Sequence, residues 1–287
     1  MKYIEENEKI VMTEFESFNI KEILECGQCF RFEKIDEMHY IIVANNKVLN
    51  IKQDSEKVEF YPCNKNEFEN IWINYFDLET DYNKIKKQLE DDPIVKTAIE
   101  YASGIRILNQ EPFECLISFI ISQNNRIPMI KQVIKNISEK YGVKEGEYYL
   151  FPTLNQLKKA TPEELKLCKT GFRDKYILDA IQNIENNTIN LEQLYNMTAE
   201  EAKNQLLKIK GVGTKVADCV LLFSLKKNEV FPTDVWVKRV MEHFYFDEKD
   251  TNIKEIHNFA KEKWGDLAGY AQQYLFYYAR SEKIGTK

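Results

Sequence analysis

The sequence predicts an α+β fold, a small antiparallel sheet followed by a helical body, on three observations. Ahead of residue 65, Asn45-Asn46-Lys47 separates the apolar runs Tyr40-Ile-Ile-Val and Val48-Leu-Asn-Ile-Lys in the way a hairpin turn does. Beyond Glu67 the apolar spacing changes to three and four residues, and prolines stand where helices would open. Glycine and proline are sparse, with 10 and 7 in 287 residues, so little of the chain is left for long irregular loops.

In order, the alternating Lys57-Val-Glu-Phe-Tyr adds a strand to the hairpin, and Glu25-Cys-Gly-Gln-Cys-Phe-Arg-Phe32 is read as part of the same sheet region. Gly27 interrupts that pattern; such a glycine serves a bulge or turn, or lets a ligand approach the backbone. Helices are expected over 82–90, 93–102, 112–121, 128–141, 162–167, 174–184, 198–209, 216–225, 235–244, 253–264 and 268–280. Thr161-Pro-Glu-Glu164 and Thr198-Ala-Glu-Glu201 are capped helix starts. The expected division is an N-terminal β domain with flanking helices over 1–105 and helical domains over 106–287, the C-terminal helix packing back toward the N-terminal part.

Composition bounds the function. With 44% hydrophobic and 30% charged residues the chain is an ordinary globular protein, and no apolar run approaches the roughly 18 residues of a membrane span. The charged start MKYIEENEKIVMT excludes a signal-peptide core, so a cytoplasmic location is expected. Of six cysteines only Cys26 and Cys29 form a CxxC, without a second pair, and His39, His243 and His257 show no ligand spacing. No transition metal is expected. The net charge of −6 argues against a nucleic-acid partner. Yet Glu201 to Tyr245 holds eight Lys/Arg against five Asp/Glu, a local excess of +3.

That stretch organises the chemistry. In Leu206 to Arg239 a helix-like segment reaches Ile209, Lys210-Gly211-Val212-Gly213 breaks it, and a second helical pattern follows through Phe223. Such a helix–hairpin–helix, over about 206–224, points unpaired N–H groups outward as an anion site suited to a phosphate. Lys215 lies in the first turn of the second helix, and Asp234 follows a proline at the start of another. A lysine, a carboxylate and a phosphate-binding hairpin together point to chemistry on nucleic acid. Taken singly, Lys215 also reads as a solvated hairpin lysine and Asp234 as a helix N-cap.

The run from Leu206 to Arg239 resembles the signature of base-excision DNA glycosylases of the helix–hairpin–helix superfamily. Adding Glu25-Cys-Gly-Gln-Cys-Phe-Arg, Tyr75-Phe-Asp-Leu, Asn109-Gln-Glu-Pro-Phe-Glu-Cys-Leu-Ile-Ser-Phe, Asn124-Asn125 and Phe276, the chain is similar throughout to the 8-oxoguanine DNA glycosylase/AP lyase branch. The resemblance implies double-stranded DNA containing 8-oxoguanine as partner, base flipping, and a Schiff-base lyase step. It implies Lys215 as nucleophile and Asp234 as the carboxylate that stabilises charge on the deoxyribose. The amine must attack in its neutral form, which burial beside a helix N-terminus favours.

For the base pocket it implies Cys219 and Phe276 on either side of the flipped base, with Phe223 on the same helix as Cys219. Gln272 would hydrogen-bond the base's Watson–Crick edge, and the Gly27 carbonyl would accept the N7–H that guanine lacks. Cys219 and Phe276 read otherwise as core packing. For DNA contact it implies Asn124 and Asn125 as void-fillers, Phe172 as wedge, and Arg173 on the base opposite the lesion. Gly211 and Gly213 would hold a phosphate through N–H groups, with no cofactor required beyond a monovalent cation on the hairpin carbonyls. A monomer suffices.

Two positions depart from the pattern. Met129 stands where eukaryotic members have a second arginine for the opposite cytosine, so relaxed opposite-base discrimination is expected. Trp236 replaces a common phosphate-contacting histidine and offers one neutral donor. Two alternatives remain open at this level. One is a glycosylase for another lesion, oxidised or alkylated. The other is a non-catalytic helix–hairpin–helix DNA-binding protein, for which Lys215 would be dispensable.

Overall fold

The computed structural model describes residues 1–284; residues 285–287, the end of the second expected domain, lie outside the described residues. The chain opens with strands β1 (Lys2–Glu6) and β2 (Lys9–Glu14), a short helix α1 (Ile20–Glu25), then β3 (Phe32–Asp36), β4 (His39–Ala44), β5 (Lys47–Gln53) and β6 (Val58–Tyr61). They form one sheet in the order β1-β2-β6-β5-β4-β3, each neighbour antiparallel. Asn45 and Asn46 take φ of 49° and 57° between paired Ala44 and Lys47, the two-residue turn whose twist matches the flanking strands.

The segment read as strand around Gly27 is different. Asn19 caps α1 by accepting from the Lys21 and Glu22 N–H groups at 3.1 and 3.2 Å, and Ile20, Ile23 and Leu24 bury one face of a helix. Gly27 therefore sits in the bend after α1, at φ +83°, and not in the sheet. Helical spacing over six residues was too short a pattern to separate from strand alternation.

The sheet buries Tyr40, Leu49, Ile51 and Phe60 against α1 and against an aromatic layer of Phe68, Trp72, Tyr75 and Phe76. After α2 (Lys65–Glu67), that layer comes from a π-helical stretch over Phe68–Trp72, from α3 (Ile73–Tyr75) and from Phe76 at its end. The body then follows as α4 (Tyr82–Leu89), α5 (Pro93–Tyr101), α6 (Pro112–Ser122) and α7 (Ile127–Tyr141). A small hairpin of β7 (Lys144–Glu145) and β8 (Tyr148–Tyr149) leads to α8 (Leu154–Leu157), α9 (Pro162–Leu167), α10 (Asp174–Glu185) and α11 (Ala199–Leu206). Finally come α12 (Thr214–Ser224), α13 (Val235–Tyr245), α14 (Ile253–Trp264) and α15 (Ala268–Ser281). Thr161 and Thr198 form reciprocal capping boxes with Glu164 and Glu201.

Two apolar cores result. The sheet's core takes in Leu108, whereas α4 and α5 pack into the helical core together with Cys26 and Phe30. Residues 1–105 are thus shared between both cores, because α5 lies against α15. That contact also brings the C-terminal helix back to the N-terminal part: Gln273 Nε2 lies 3.3 Å from Cys26 Sγ.

Gln28 ties the two units. It is fully buried; its Nε2 donates to the Ile23 and Arg106 carbonyls at 2.8 Å each, and its Oε1 accepts the Leu108 N–H at 2.8 Å. Gln28→Leu keeps the bulk and strands those three backbone groups. A loss of about 2–4 kcal/mol in stability, read as a lower urea midpoint at unchanged slope, is the expected outcome. The hairpin makes a second prediction. Gly211 has φ +83°, and a Cβ there would stand 2.4 Å from the Tyr176 ring. Gly211→Ala should cost about 1–3 kcal/mol in thermal unfolding, and a change below about 0.5 kcal/mol would show that Tyr176 yields freely.

Candidate active site

The hairpin is built as its sequence requires. α11 ends at Leu206 and not near Ile209, because Lys208 and Ile209 N–H groups turn back three residues, to Gln205 and Leu206 carbonyls at 3.1 Å each. The Val212 N–H closes on the Ile209 carbonyl at 3.0 Å, and Gly213 stands at the N-cap of α12. Gly213 is exposed and Gly211 half-buried, while Asp179 Oδ2 accepts the Lys210 N–H at 2.7 Å. Apolar residues nearly all round α12 bury it against α6.

Lys215 occupies the first turn of α12 and is half-buried. Its Nζ donates to Ser122 Oγ at 3.3 Å and lies 5.0 Å from the centre of the Phe119 ring. Both partners come from the last turns of α6. One turn further along α12, Cys219 is 3% exposed. Burial pushes its thiol up to about 12, the Lys215 ammonium acts to lower it, and the Asp218 and Asp234 carboxylates raise it. Lys215, Cys219 and Asp234 therefore share one neighbourhood, with a thiol that stays protonated at neutral pH.

Asp234 caps α13: its Oδ1 accepts the Val237 N–H at 2.8 Å. The capping role open at the sequence level is real, and it occupies one oxygen only. No ion pair within 4.0 Å joins Asp234 to Lys215 among the described residues. Val235 next to it is 64% exposed, and Trp236 is half-buried in the first turn.

The other residues expected at the base lie on α15. Gln272 is 4% exposed, and among the described residues its Oε1 has no hydrogen-bond partner. Leaving a buried amide oxygen unmatched costs stability, so this atom is one that a ligand could satisfy. Phe276 lies one turn on, half-buried, with its ring edge against Gly27: a Cβ on Gly27 would meet Phe276 Cε1 at 3.1 Å. Phe223 lies one turn beyond Cys219 on α12. It is 3% exposed and stacks on Phe119 at 5.5 Å and 24°, one layer behind the ring that Lys215 overlies.

The remaining candidates gather on one edge. Asn124, at φ +46° after α6, is exposed, and Asn125 Nδ2 donates to the Ile121 carbonyl at 3.2 Å. Phe172 is 49% exposed and Met129, in the first turn of α7, 44% exposed. Arg173 is 7% exposed, not a surface arginine. Its Nε donates to the Gln123 carbonyl at 2.9 Å, Nη1 to Thr170 at 3.3 Å, and Nη2 to Gln123 and to Asn124 at 3.0 Å. The guanidinium thus clamps the 170–173 turn to the asparagine loop. Sequence reasoning missed Ser122, Phe119 and Gln28; the first two are ordinary helix residues whose meaning comes only from α12 crossing α6.

Comparison with known proteins gives the family. Residues 9–116 match the family model described as the N-terminal domain of 8-oxoguanine DNA glycosylase, and residues 117–266 match that of the HhH-GPD superfamily of base excision DNA repair proteins. The probable N-glycosylase/DNA lyase of Methanothermobacter thermautotrophicus is 32% identical over 71% of this chain and 72% of its own. The N-glycosylase/DNA lyase of Saccharomyces cerevisiae is 29% identical over 92% and 82%. The Clostridium acetobutylicum 8-oxoguanine glycosylase/lyase, solved with double-stranded DNA containing cytosine opposite 8-oxoguanine, is 45% identical over 99% of each chain with a TM-score of 0.96. The chain belongs to the HhH-GPD superfamily of base excision DNA repair proteins and carries the N-terminal domain of its 8-oxoguanine glycosylase branch.

Proposed function

We propose that the chain is a bifunctional DNA glycosylase and AP lyase that excises 8-oxoguanine from duplex DNA. The observation that carries the reading is the grouping of Lys215 and Asp234 around Cys219, together with the orphan Gln272 Oε1 on α15, in a chain whose likeness to an 8-oxoguanine glycosylase/lyase covers 99% of its length. The damaged nucleotide leaves the stack, at a cost of a few kcal/mol, and enters between Cys219 and Phe276. The unmatched Gln272 Oε1 accepts from its Watson–Crick edge, and the Gly27 carbonyl accepts N7–H.

The neutral Lys215 amine attacks C1′ as the C1′–N9 bond breaks, and its electron pair leaves with the base, which takes up a proton. Asp234, its second oxygen free of the cap, stabilises the positive charge that builds on the sugar. Nitrogen then expels the ring oxygen to give a Schiff base. Removal of a C2′ proton breaks the bond from C3′ to its phosphate oxygen, nicking the strand.

Around the lesion, Asn124 and Asn125 fill the gap, Phe172 wedges the duplex, and Trp236 donates one hydrogen bond at most to a phosphate. Gly211 and Gly213 offer the hairpin N–H groups to another phosphate. The Ile209 and Gly213 carbonyls, already accepting from Val212 and Ala217, retain lone pairs that fit a weakly held monovalent cation. No chemical step needs that cation. Every reacting group lies on one chain, which supports a monomer, and six unpaired cysteines agree with a cytoplasmic enzyme. Among the described residues no helix is long and apolar enough to cross a membrane.

The decisive test is borohydride trapping on a duplex carrying one 8-oxoguanine opposite cytosine. Wild type should give a covalent protein–DNA band, absent in Lys215→Gln, whose excision rate falls by about a thousandfold or more. Release of the base without a band would remove Lys215 as nucleophile. Intact binding with neither would favour another lesion or a binding module. Opposite-base choice gives a second prediction. Met129 donates no hydrogen bond, and Arg173 keeps one Nη1–H beyond its carbonyl bonds, so single-turnover rates opposite A, G and T should trail C by about tenfold at most. A preference for C above about a hundredfold would contradict it.

A further inference from the structure

A buried polar cluster lies behind Asp234 and takes no part in the chemistry above. Thr233, one residue earlier and 4% exposed, donates its hydroxyl hydrogen to the Phe231 carbonyl at 2.9 Å. The same Oγ1 stands 3.1 Å from Nε2 of His257 on α14. Burial pushes the His257 imidazole down to about 4, the Lys203 ammonium adds to that and a hydrogen bond to the Phe231 backbone opposes it, so the ring is neutral at pH 7. With the hydroxyl hydrogen already spent, the contact requires Nε2–H to donate to Thr233. Asp218 Oδ2 faces that nitrogen at 4.0 Å, which favours the same tautomer.

Asp218 is itself 1% exposed and sits three residues after Lys215. Lys203 Nζ of α11 pairs with its Oδ1 at 2.7 Å, yet neither oxygen has a hydrogen bond of good alignment. Electrostatics holds this carboxylate in place, and its directional capacity is unspent. Thus α11, α12, α14 and the 231–233 segment converge under residue 234. The Asp234 backbone is extended, at φ −95° and ψ −175°, so its side chain points where the preceding peptide aims it. One oxygen is fixed by the cap, and the Thr233 contacts hold the residue directly before it.

We infer that Thr233 and His257 form a positioning pair that aims the Asp234 carboxylate at the sugar, steered by Asp218 behind the ring; the inference rests on the glycosylase reading above. The pair touches neither substrate nor reacting atoms. Its loss should therefore slow base loss without weakening DNA binding, because displacement of a charge-stabilising group by a fraction of an ångström is felt in the transition state alone.

The test uses Thr233→Val, which keeps the branched shape and removes the hydroxyl, with Thr233→Ser and His257→Phe beside it. Single-turnover excision from an 8-oxoguanine:cytosine duplex should fall about tenfold or more in Thr233→Val and in His257→Phe. Affinity for a duplex bearing a non-cleavable lesion analogue should stay within about twofold, and Thr233→Ser should restore the rate. The double variant should be no slower than the slower single one, since both break one contact. Wild-type excision by Thr233→Val, losses that multiply in the double variant, or affinity falling in step with rate would each overturn the inference. Failure of wild type to excise 8-oxoguanine in the same assay would instead overturn the glycosylase reading.

Discussion

The site depends on how α12 crosses α6. The Lys215–Ser122 hydrogen bond pins the start of the hairpin's second helix, and the Phe119–Phe223 stack its last turn, to the end of a helix buried almost all round. The last turn of α6 runs directly into the asparagine loop. The group proposed to attack the sugar and the group proposed to fill the duplex are therefore referenced to the same two turns of backbone. Rigid packing at native density makes that reference reliable: a methylene more or less in this interface would be felt at both ends.

Much of this was legible in the sequence, for identifiable reasons. The Asn45-Asn46 turn, the capping boxes at Thr161 and Thr198, and the proline-opened helices are local signals, written within three or four residues. The Gly211/Gly213 hairpin and Lys215 were legible because a turn and its neighbours lie within one short stretch. The strand expected around Gly27 is instead a bend after α1, whose six residues carry too little periodicity to distinguish a helix from a strand. The packing of α5 against α15, some 170 residues away in sequence, leaves no local signal near residue 105. Arg173 shows the same limit: nothing within the chain around it announces that three carbonyls from two loops are its partners.

Burial is used unevenly across the molecule. Gln28 spends every side-chain hydrogen bond on backbone groups and fixes the bend carrying Gly27. Gln272, as deeply buried on the facing helix, leaves its oxygen unmatched. The first amide serves the fold; the second holds back capacity that a base edge would use. The contrast lies in partners and not in exposure, so neither residue type nor hydropathy separates the two.

The Arg173 clamp has a mechanical consequence. Because one guanidinium grips the carbonyls of Gln123, Asn124 and Thr170, the asparagine loop and the Phe172 turn cannot travel separately without breaking charge-assisted hydrogen bonds. In the proposed role the two therefore enter the helix as the prongs of a single fork. Prising apart of the base pairs and occupation of the vacated space become one event, with no interval in which the duplex is opened yet left hollow.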